Sequence, residues 1–326
     1  MKLARRAVID VGTNSVKLLV ADALGHEVRP VWEESQQTRL GKGFYETREL
    51  QPAAIAQTAQ AVARFAETAR AHGTASIRVI ATSAARDARN SGDLLAAIRQ
   101  AAGLEVQILS GEQEADWAFR GVTTDPELAR PRLLLLDVGG GSTQFILGQG
   151  DEQHFRRSVP LGTVRLLEQL PHGDPPTAGE LAACRRWLRG FLEKEVGPEL
   201  EPALRRDAKP GSTQAAATGA RREAIRLVGT GGTATILGRM ARQVEGFDRE
   251  QIEATRLSFE QVQEQVRRLW SLPLAERKKL RGLPANRADV ILMGVAIYEA
   301  VMEQFQFPEL RLSTRGLRFA GVMDGA

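Results

Sequence analysis

Cysteine is almost absent from this chain of 326 residues, which contains only Cys184. A single cysteine excludes an intrachain disulfide and any metal site built from paired cysteines. The four histidines are scattered and show no metal-ligand spacing. No run approaches the roughly 20 apolar residues of a membrane-spanning helix, and Asp10 interrupts the first apolar run too early for a secretory signal. These absences predict a soluble, reduced, cytoplasmic protein without a membrane partner.

Lysine is the second scarce residue, because only seven of the 44 basic residues are lysine and the others are arginine. Arginine suits bidentate binding of phosphate. A GC-rich genome also produces a chain rich in arginine and alanine, and we favour that explanation for most of the arginines. The net charge is +4, and the hydrophobic and charged fractions of 43% and 26% are those of a globular protein. We expect no nucleic-acid partner.

Segments with strand and helix patterns alternate along the chain, which predicts an α/β fold. Residues 52–72 place their apolar side chains on one helical face. The stretch "GDLLAAIRQAAG" follows "RNS", so we predict a helix that is capped there and closes at Gly103. Residues 198–224 mix Pro, Gly, Ser, Thr and Ala without a period, which predicts a mobile surface segment.

Glycine is concentrated where an apolar run ends, in "LLLLDVGGGSTQFILG" (133–148). Glycine weakens the interior of a strand, so three in succession indicate a tight turn. Successive backbone N–H groups in such a turn can bind an anion, which makes phosphate the first ligand to consider. A hairpin turn without any ligand is the alternative.

An internal repeat supports the phosphate interpretation. The segments "VIDVGTNSVKLLV" (8–20) and "LLDVGGGSTQFIL" (135–147) align without a gap at an offset of 127 residues. The alignment places Asp10 on Asp137, Gly12 on Gly139 and Ser15 on Ser142. We therefore predict two duplicated domains, 1–126 and 127–326, with a cleft between them and a last helix that can return to the first domain.

The two turns supply the candidate ligands for phosphate and for a cation. The candidate phosphate-binding residues are Gly12, Thr13, Asn14 and Ser15 in the first turn and Gly139, Gly140, Gly141, Ser142 and Thr143 in the second. Asp10 and Asp137 could bind Mg²⁺ or Mn²⁺, since hard cations prefer oxygen ligands. The alternative is that both aspartates only cap their turns.

A third glycine-rich loop, "GTGGT", lies between a predicted strand and a predicted helix. Backbone amides at a helix N-terminus favour anions. Gly229, Thr230, Gly231, Gly232 and Thr233 therefore form a further candidate loop for phosphate or a nucleotide.

The stretch "LSGEQEADWAFRGV" holds the candidate for acid–base chemistry. Ser110 and Gln113 have the spacing of a capping box, which places Glu112 and Glu114 in the first turn of a helix. The helix dipole stabilises carboxylates there. For Glu112 we favour this purely structural explanation.

The arrangement resembles the superfamily of actin, sugar and acetate kinases and heat-shock ATPases, whose halves share a ribonuclease-H-like fold. The ordered motifs are similar to those of the exopolyphosphatase/guanosine pentaphosphate phosphatase (Ppx/GppA) family, from residue 8 to about residue 318. They are "VIDVGTNSVKLLV", "ATSAARDARN", "SGEQEA", "LLDVGGGST", "VPLGTVRLLE", "GTGGTATIL" and "RADVILMG".

This resemblance implies roles for individual residues. Glu114 matches the general base that activates water, and Asp10 and Asp137 match aspartates associated with the divalent cation and its phosphate. Arg86 matches a phosphate-binding arginine, although a solvated charge at a helix end explains it too. Arg39, like Lys42 three residues later, is as well explained by a solvated loop as by a phosphate contact.

Several positions depart from the family pattern. Gln144 replaces the usual glutamate, which removes one carboxylate near the metal. Asp116 stands where a basic residue is more common, and Thr314 and Phe319 replace acidic residues. The chain resembles the short, two-domain form of the family, without the C-terminal helical domain of longer members.

We favour the first of three functions at this point and keep the other two open as alternatives. The first is a hydrolase that releases terminal orthophosphate from polyphosphate, guanosine pentaphosphate or both, with Mg²⁺ or Mn²⁺. The second is a kinase-like phosphotransferase of the same superfamily. The third is a catalytically weak sensor of polyphosphate or a nucleotide, which Gln144 keeps open. The sequence also leaves open a homodimer.

Overall fold

Two β-sheets organise the protein, which is described here from a computed structural model covering residues 3–205 and 225–323. The strands of the first sheet are β1 (Ala4–Val11), β2 (Ser15–Leu24), β3 (Glu27–Gln37), β4 (Ser76–Ala81) and β5 (Val106–Ile108). Those of the second are β6 (Leu133–Val138), β7 (Thr143–Gln149), β8 (Glu152–Val159), β9 (Arg226–Thr230), β10 (Arg256–Ser258) and β11 (Glu309–Leu312).

The two sheets repeat one topology. The first has the order β3-β2-β1-β4-β5, and the second has the order β8-β7-β6-β9-β11 with β10 added at its edge. In each sheet the first three strands in sequence are antiparallel neighbours. On the other side of the first strand, β4 and β5 in the first sheet and β9 and β11 in the second run parallel to it. The repeat found in the sequence is thus a repeat of supersecondary structure.

Helices cover the sheets and connect the parallel strands. Those of the first part of the chain are α1 (Phe44–Thr47), α2 (Pro52–Ala71), α3 (Ser83–Asp87), α4 (Ser91–Ala102), α5 (Gly111–Val122) and α6 (Pro126–Ala129). Those that follow are α7 (Thr163–Gln169), α8 (Ala178–Glu195), α9 (Gly197–Arg205), α10 (Gly231–Arg242), α11 (Arg249–Glu253), α12 (Phe259–Ser271), α13 (Leu274–Arg277), α14 (Ile291–Phe305) and α15 (Leu317–Met323). A 3₁₀ turn covers Ala285–Arg287. None of the described helices is both long and apolar enough to cross a membrane.

Helix α5 lies between the two parts of the molecule. Its Phe119 packs in a cluster with Leu135 and Ile146 of the second sheet. Its Trp117 packs instead with Val8 of the first sheet and with Phe319 of α15. The last helix therefore returns to the first sheet, and α5 holds a fixed position beside both sheets.

The local predictions succeed where short-range chemistry decides the structure. Ser110 and Gln113 form the expected capping box at the start of α5. The predicted cap of α4 is wrong, because the Asn90 side chain makes no capping bond and instead exchanges hydrogen bonds with Leu50.

The prediction of a mobile segment over residues 198–224 is partly wrong. Helix α9 covers the first residues of this segment, because Leu200 and Leu204, one helical turn apart, are both buried in the hydrophobic core beside the second sheet. The prediction for 206–224 lies outside the described residues.

Candidate functional site

The two glycine turns are closed by equivalent backbone hydrogen bonds. The Gly12 N–H donates to the Ser15 carbonyl across 3.0 Å, and the Gly139 N–H donates to the Ser142 carbonyl across 3.0 Å. Each turn thus closes over the same four-residue span, at the end of the first strand of its sheet. The offset of 127 residues therefore holds for the hydrogen bonds as well as for the letters of the sequence.

The turns face each other across one cavity. A Cβ added to Gly140 would lie 2.9 Å from the Thr13 Cβ, and one added to Gly141 would lie 2.9 Å from the Thr13 Oγ1. Such distances leave no room for a side chain, so glycine is required for this approach. Both turns line a cavity of about 450 Å³. The arrangement brings two sets of backbone amides to one ligand-sized space.

Asp10 and Asp137 lie beside the turns and line the same cavity. Burial raises the pKa of both carboxyl groups, that of Asp137 to about 6. The nearby charge of Lys17, which pairs in register with Asp10 on β2, acts against this rise. Burial also lowers the pKa of Lys17. Two carboxylates and one ammonium group therefore share a desolvated space.

The third glycine loop meets the second aspartate. Gly231 has a φ of 85°, and a Cβ there would collide with the Asp137 carboxylate. Helix α10 begins at this residue, and Gly231, Gly232 and Thr233 all line the cavity. The positive end of a helix dipole therefore adds to the field over the site.

Glu114 reaches the cavity from the start of α5. Its side chain is 10% exposed, and its Oε2 accepts a hydrogen bond from Arg86 Nη1 across 3.0 Å. Burial raises the pKa of Glu114 to about 7, and the negative charges of Asp137 and Asp10 add to this rise, whereas Arg86 opposes it. A carboxyl group with a pKa near 7 is suited to accept a proton at neutral pH.

The carboxylates of Asp10 and Asp137 fit Mg²⁺ or Mn²⁺ if water and a bound phosphate supply the remaining ligands. Among the described residues no group of three or more His, Cys, Asp or Glu could hold a metal ion. Mg²⁺, however, is usually bound through one or two carboxylates, with water and substrate phosphates completing its octahedron. Asp10 Oδ1 is buried and has no hydrogen-bond partner within the described part of the chain. An oxygen left in that state is a suitable ligand for a hard cation.

Three of the predicted site residues do not line the cavity. The Thr143 hydroxyl donates to the Leu161 carbonyl across 2.5 Å. Gly229 is packed against the Tyr298 ring, because a Cβ added to Gly229 would lie 2.8 Å from Tyr298 Cε1. Arg86 bonds to Glu114 and to the Leu109 carbonyl, so it is placed to hold the carboxylate.

The loop residue Arg39 forms an ion pair with Asp289 across 3.0 Å. Its guanidinium therefore has a protein partner on the other part of the molecule.

Sequence reasoning missed several cations at the cavity. Lys17, Arg287 and Arg318 all line it, and Arg287 Nη2 donates to Ser15 Oγ across 2.8 Å. Lys17 could have been found, since the same offset of 127 pairs it with Gln144, a position already marked as unusual. Arg287 is 272 residues away from its partner, and no local pattern indicates that contact.

Gln144 is buried, with 1% of its surface exposed, and it lines the cavity. Its Nε2 donates to Ser142 Oγ across 2.9 Å and to Ser158 Oγ across 3.1 Å. The amide is thus part of a satisfied network behind the second turn. It supports the turn without adding a third negative charge.

Comparisons with known proteins now place the chain. Residues 19–325 match the model of the Ppx/GppA phosphatase family. The chain belongs to this family. It is 34% identical to "Exopolyphosphatase 2" of Mycobacterium tuberculosis over 94% of this chain and 92% of that protein. It is 29% identical to "Exopolyphosphatase 1" of Mycobacterium bovis over 96% of this chain and 86% of that protein.

Solved structures agree with this membership. The Ppx/GppA family member from Aquifex aeolicus is 28% identical, with a TM-score of 0.74 over 98% of this chain and 96% of that one. An exopolyphosphatase from Cytophaga hutchinsonii has a TM-score of 0.82 over 97% of this chain and 96% of that one; at 24% identity it supports the fold alone. The duplicated ribonuclease-H-like fold of the actin-like ATPases, expected from the sequence, is confirmed, as is the family resemblance.

Proposed function

We propose that this protein is an exopolyphosphatase, which releases orthophosphate from the end of an inorganic polyphosphate chain. The observation that carries the proposal is the position of Glu114, a buried carboxyl group that lines the cavity between the two glycine turns. The names of the relatives at 34% and 29% identity support polyphosphate as the substrate. Family membership supports a phosphatase more broadly.

The terminal phosphoryl group binds between the two turns. Its oxygens accept hydrogen bonds from backbone N–H groups, which successive residues of such turns present as an anion-binding concavity. Lys17 and Arg287 contribute positive charge from the cavity wall. Positioning and neutralisation of charge are the main requirements of phosphoryl transfer.

Glu114 removes a proton from the attacking water. The water oxygen forms a bond to the terminal phosphorus, the bridging P–O bond breaks, and the shortened chain leaves with the electron pair of that bond. Arg86 holds Glu114 Oε2 and so fixes the orientation of the carboxylate. A pKa of about 7 leaves a large fraction of Glu114 ionised at neutral pH while it remains basic enough to accept a proton.

Asp10 and Asp137 hold the divalent cation in this proposal, and Mg²⁺ or Mn²⁺ supplies positive charge to the phosphoryl oxygens when it is bound. The cation would also keep both aspartates ionised, because burial alone raises the pKa of each carboxyl group. Gln144 leaves the cation with fewer negative ligands than a glutamate would.

The proposal is tested by measuring released orthophosphate. Long polyphosphate, short polyphosphate and guanosine pentaphosphate are each incubated with Mg²⁺, with Mn²⁺ and with a chelator, and ATP without any acceptor is included. We expect cation-dependent release from polyphosphate. Release from guanosine pentaphosphate alone would identify that nucleotide, and not polyphosphate, as the substrate. Phosphoryl transfer that requires an alcohol or carboxylate acceptor would indicate a kinase, and no release from any anhydride would indicate a sensor.

A further inference from the structure

Three charged side chains form a cluster at the cavity and have no role in the proposed hydrolytic step. Two of them, Glu33 and Arg318, line the cavity, and the third, Arg249, pairs with Glu33 from behind this lining. Glu33 of β3 pairs with Arg249 of α11 and with Arg318 of α15, the latter across 3.3 Å. We call these three residues the Glu33 cluster. Their side chains are only 14%, 20% and 17% exposed. The cluster joins the first sheet to a helix that follows β9, so it spans the two parts of the molecule.

Both arginines of the Glu33 cluster are also held by groups other than Glu33. Arg249 pairs with Glu253 across 3.2 Å, and its guanidinium lies 5.0 Å from the centre of the Phe319 ring. Arg318 Nη1 donates to the Leu18 carbonyl across 2.9 Å. The two guanidinium groups therefore stay in place if the Glu33 carboxylate moves away, and preorganised donors bind a ligand at lower cost.

Two carboxylates that the family pattern has at this part of the cavity are missing from this chain. Thr314 and Phe319 stand at positions where the family pattern has acidic residues, and both line the cavity. The Phe319 ring lies beneath Arg249 instead of neutralising it. The acidic partner of these arginines is therefore Glu33 on β3, far in sequence from positions 314 and 319.

The Glu33 cluster is electrostatically connected to the phosphate site. Arg318 lines the same cavity as Asp10 and Asp137. Arg318 is therefore near enough to act on a phosphoryl group held at the aspartates. Arg249 lies one step farther, on the other side of Glu33.

We propose that Arg249 and Arg318 form a distal subsite for further phosphoryl groups of a polyphosphate, and that Glu33 occupies this subsite as an internal anion until substrate displaces it. Carboxylates and phosphates bind guanidinium groups in the same way, so the two compete directly. The identity of the polyanion rests on the proposed function. A substrate too short to reach the subsite avoids this competition, so Glu33 reduces the preference for long chains.

The test compares this ion pair with a control pair elsewhere in the first sheet. Glu33→Gln and Arg249→Gln break the cross-cleft pair, whereas Asp22→Asn and Arg5→Gln break the control pair, whose atoms are 2.8 Å apart. The control variants make the same charge changes at residues that do not line the cavity. Binding of long polyphosphate and of tripolyphosphate is measured by calorimetry in a Glu114→Gln background, where substrate is not consumed.

The proposal predicts opposite effects from the two halves of one ion pair. We expect Glu33→Gln to tighten binding of long polyphosphate by about three- to tenfold and Arg249→Gln to weaken it by a similar factor, as for about 1 kcal/mol per pair. Tripolyphosphate should respond by less than about twofold, within the range of exposed charges. Neither control variant should change the ratio between long and short chains.

Several outcomes would overturn the subsite. If Glu33 and Arg249 only clamp the two parts together, their variants break the same contact and shift binding in the same direction. An unchanged affinity in Glu33→Gln, or no polyphosphate binding at all, also rejects it. Opposite shifts without hydrolysis by the wild-type protein would reject the proposed function but keep the subsite. If Arg249→Gln does not fold, Arg249→Lys keeps the charge and should weaken binding less.

Discussion

Replacing Glu114 by glutamine should stabilise the protein while it abolishes most of the activity. The carboxyl group is buried, and its pKa of about 7 exceeds its usual 4.5. The folded state therefore binds a proton more tightly than the unfolded state does. Stability that depends on this proton is fully present below pH 4.5 and is lost as the pH rises through 7.

The size of the effect follows from the same two values. A difference between about 7 and 4.5 corresponds to an upper limit of about 3 kcal/mol, at 1.36 kcal/mol per pH unit. The pKa of about 7 already includes the opposing effect of Arg86, so a neutral glutamine avoids this cost as a whole. We therefore expect a net gain of up to about 3 kcal/mol at pH 8, seen as a higher Tm. At pH 5 the gain should disappear or reverse.

Activity should respond in the opposite direction. Loss of a general base costs about 10²- to 10⁴-fold in kcat. The assay pairs thermal unfolding at pH 5 and pH 8 with phosphate release from polyphosphate. Glu112→Gln is the matched control, since Glu112 lies in the same helical turn with 78% of its side chain exposed and should change neither quantity. Phosphate release by Glu114→Gln within about threefold of wild type would refute the role of the base.

Three further predictions concern the turns and the pH profile. Gly140→Ala should lower kcat/KM at least tenfold and destabilise the protein by about 1 to 3 kcal/mol, because the added Cβ would lie 2.9 Å from Thr13 Cβ. Gly92→Ala is the control, since a Cβ at that position enters open space, and equal activity in the two variants would contradict the close approach of the turns. Gln144→Glu should lower the Mg²⁺ concentration for half-maximal activity and lower the Tm of the metal-free protein, since it buries another carboxylate; an unchanged Mg²⁺ requirement would place the cation elsewhere. The kcat/KM of the wild-type protein should rise with pH along a single limb centred near 7, below which Glu114 is protonated, and a profile that is flat between pH 5 and 9 would be inconsistent with that base.

The sequence predicts the parts of the site that rest on short-range patterns. The repeat places Asp10 and Asp137 correctly at equivalent strand ends, because a duplicated strand–turn–strand unit keeps its spacing. The capping box of α5 sets the first turn that carries Glu114, and its Ser110 and Gln113 are three residues apart. Such features need no knowledge of the tertiary structure.

Other features depend on contacts that no local pattern indicates. No pattern in the sequence indicates strand β3, since most of its residues are exposed or half-buried and it contains Pro30, a residue that is rare within strands. Asn90 turns from its helix to Leu50, a partner 40 residues away. Glu33 and Arg249 meet across 216 residues of sequence. The duplicated strand–turn–strand units are therefore predictable from the sequence, but strand β3 and the arrangement of charges around the cavity are not.

A crystal structure with Mn²⁺ and orthophosphate would test most directly whether the twin turns share one ligand. The account predicts an anomalous Mn²⁺ peak at the carboxylates of Asp10 and Asp137, with the phosphate on the amides of both turns and Glu114 facing it. Mn²⁺ and phosphate bound away from the two aspartates, or a phosphate held by one turn alone, would contradict it.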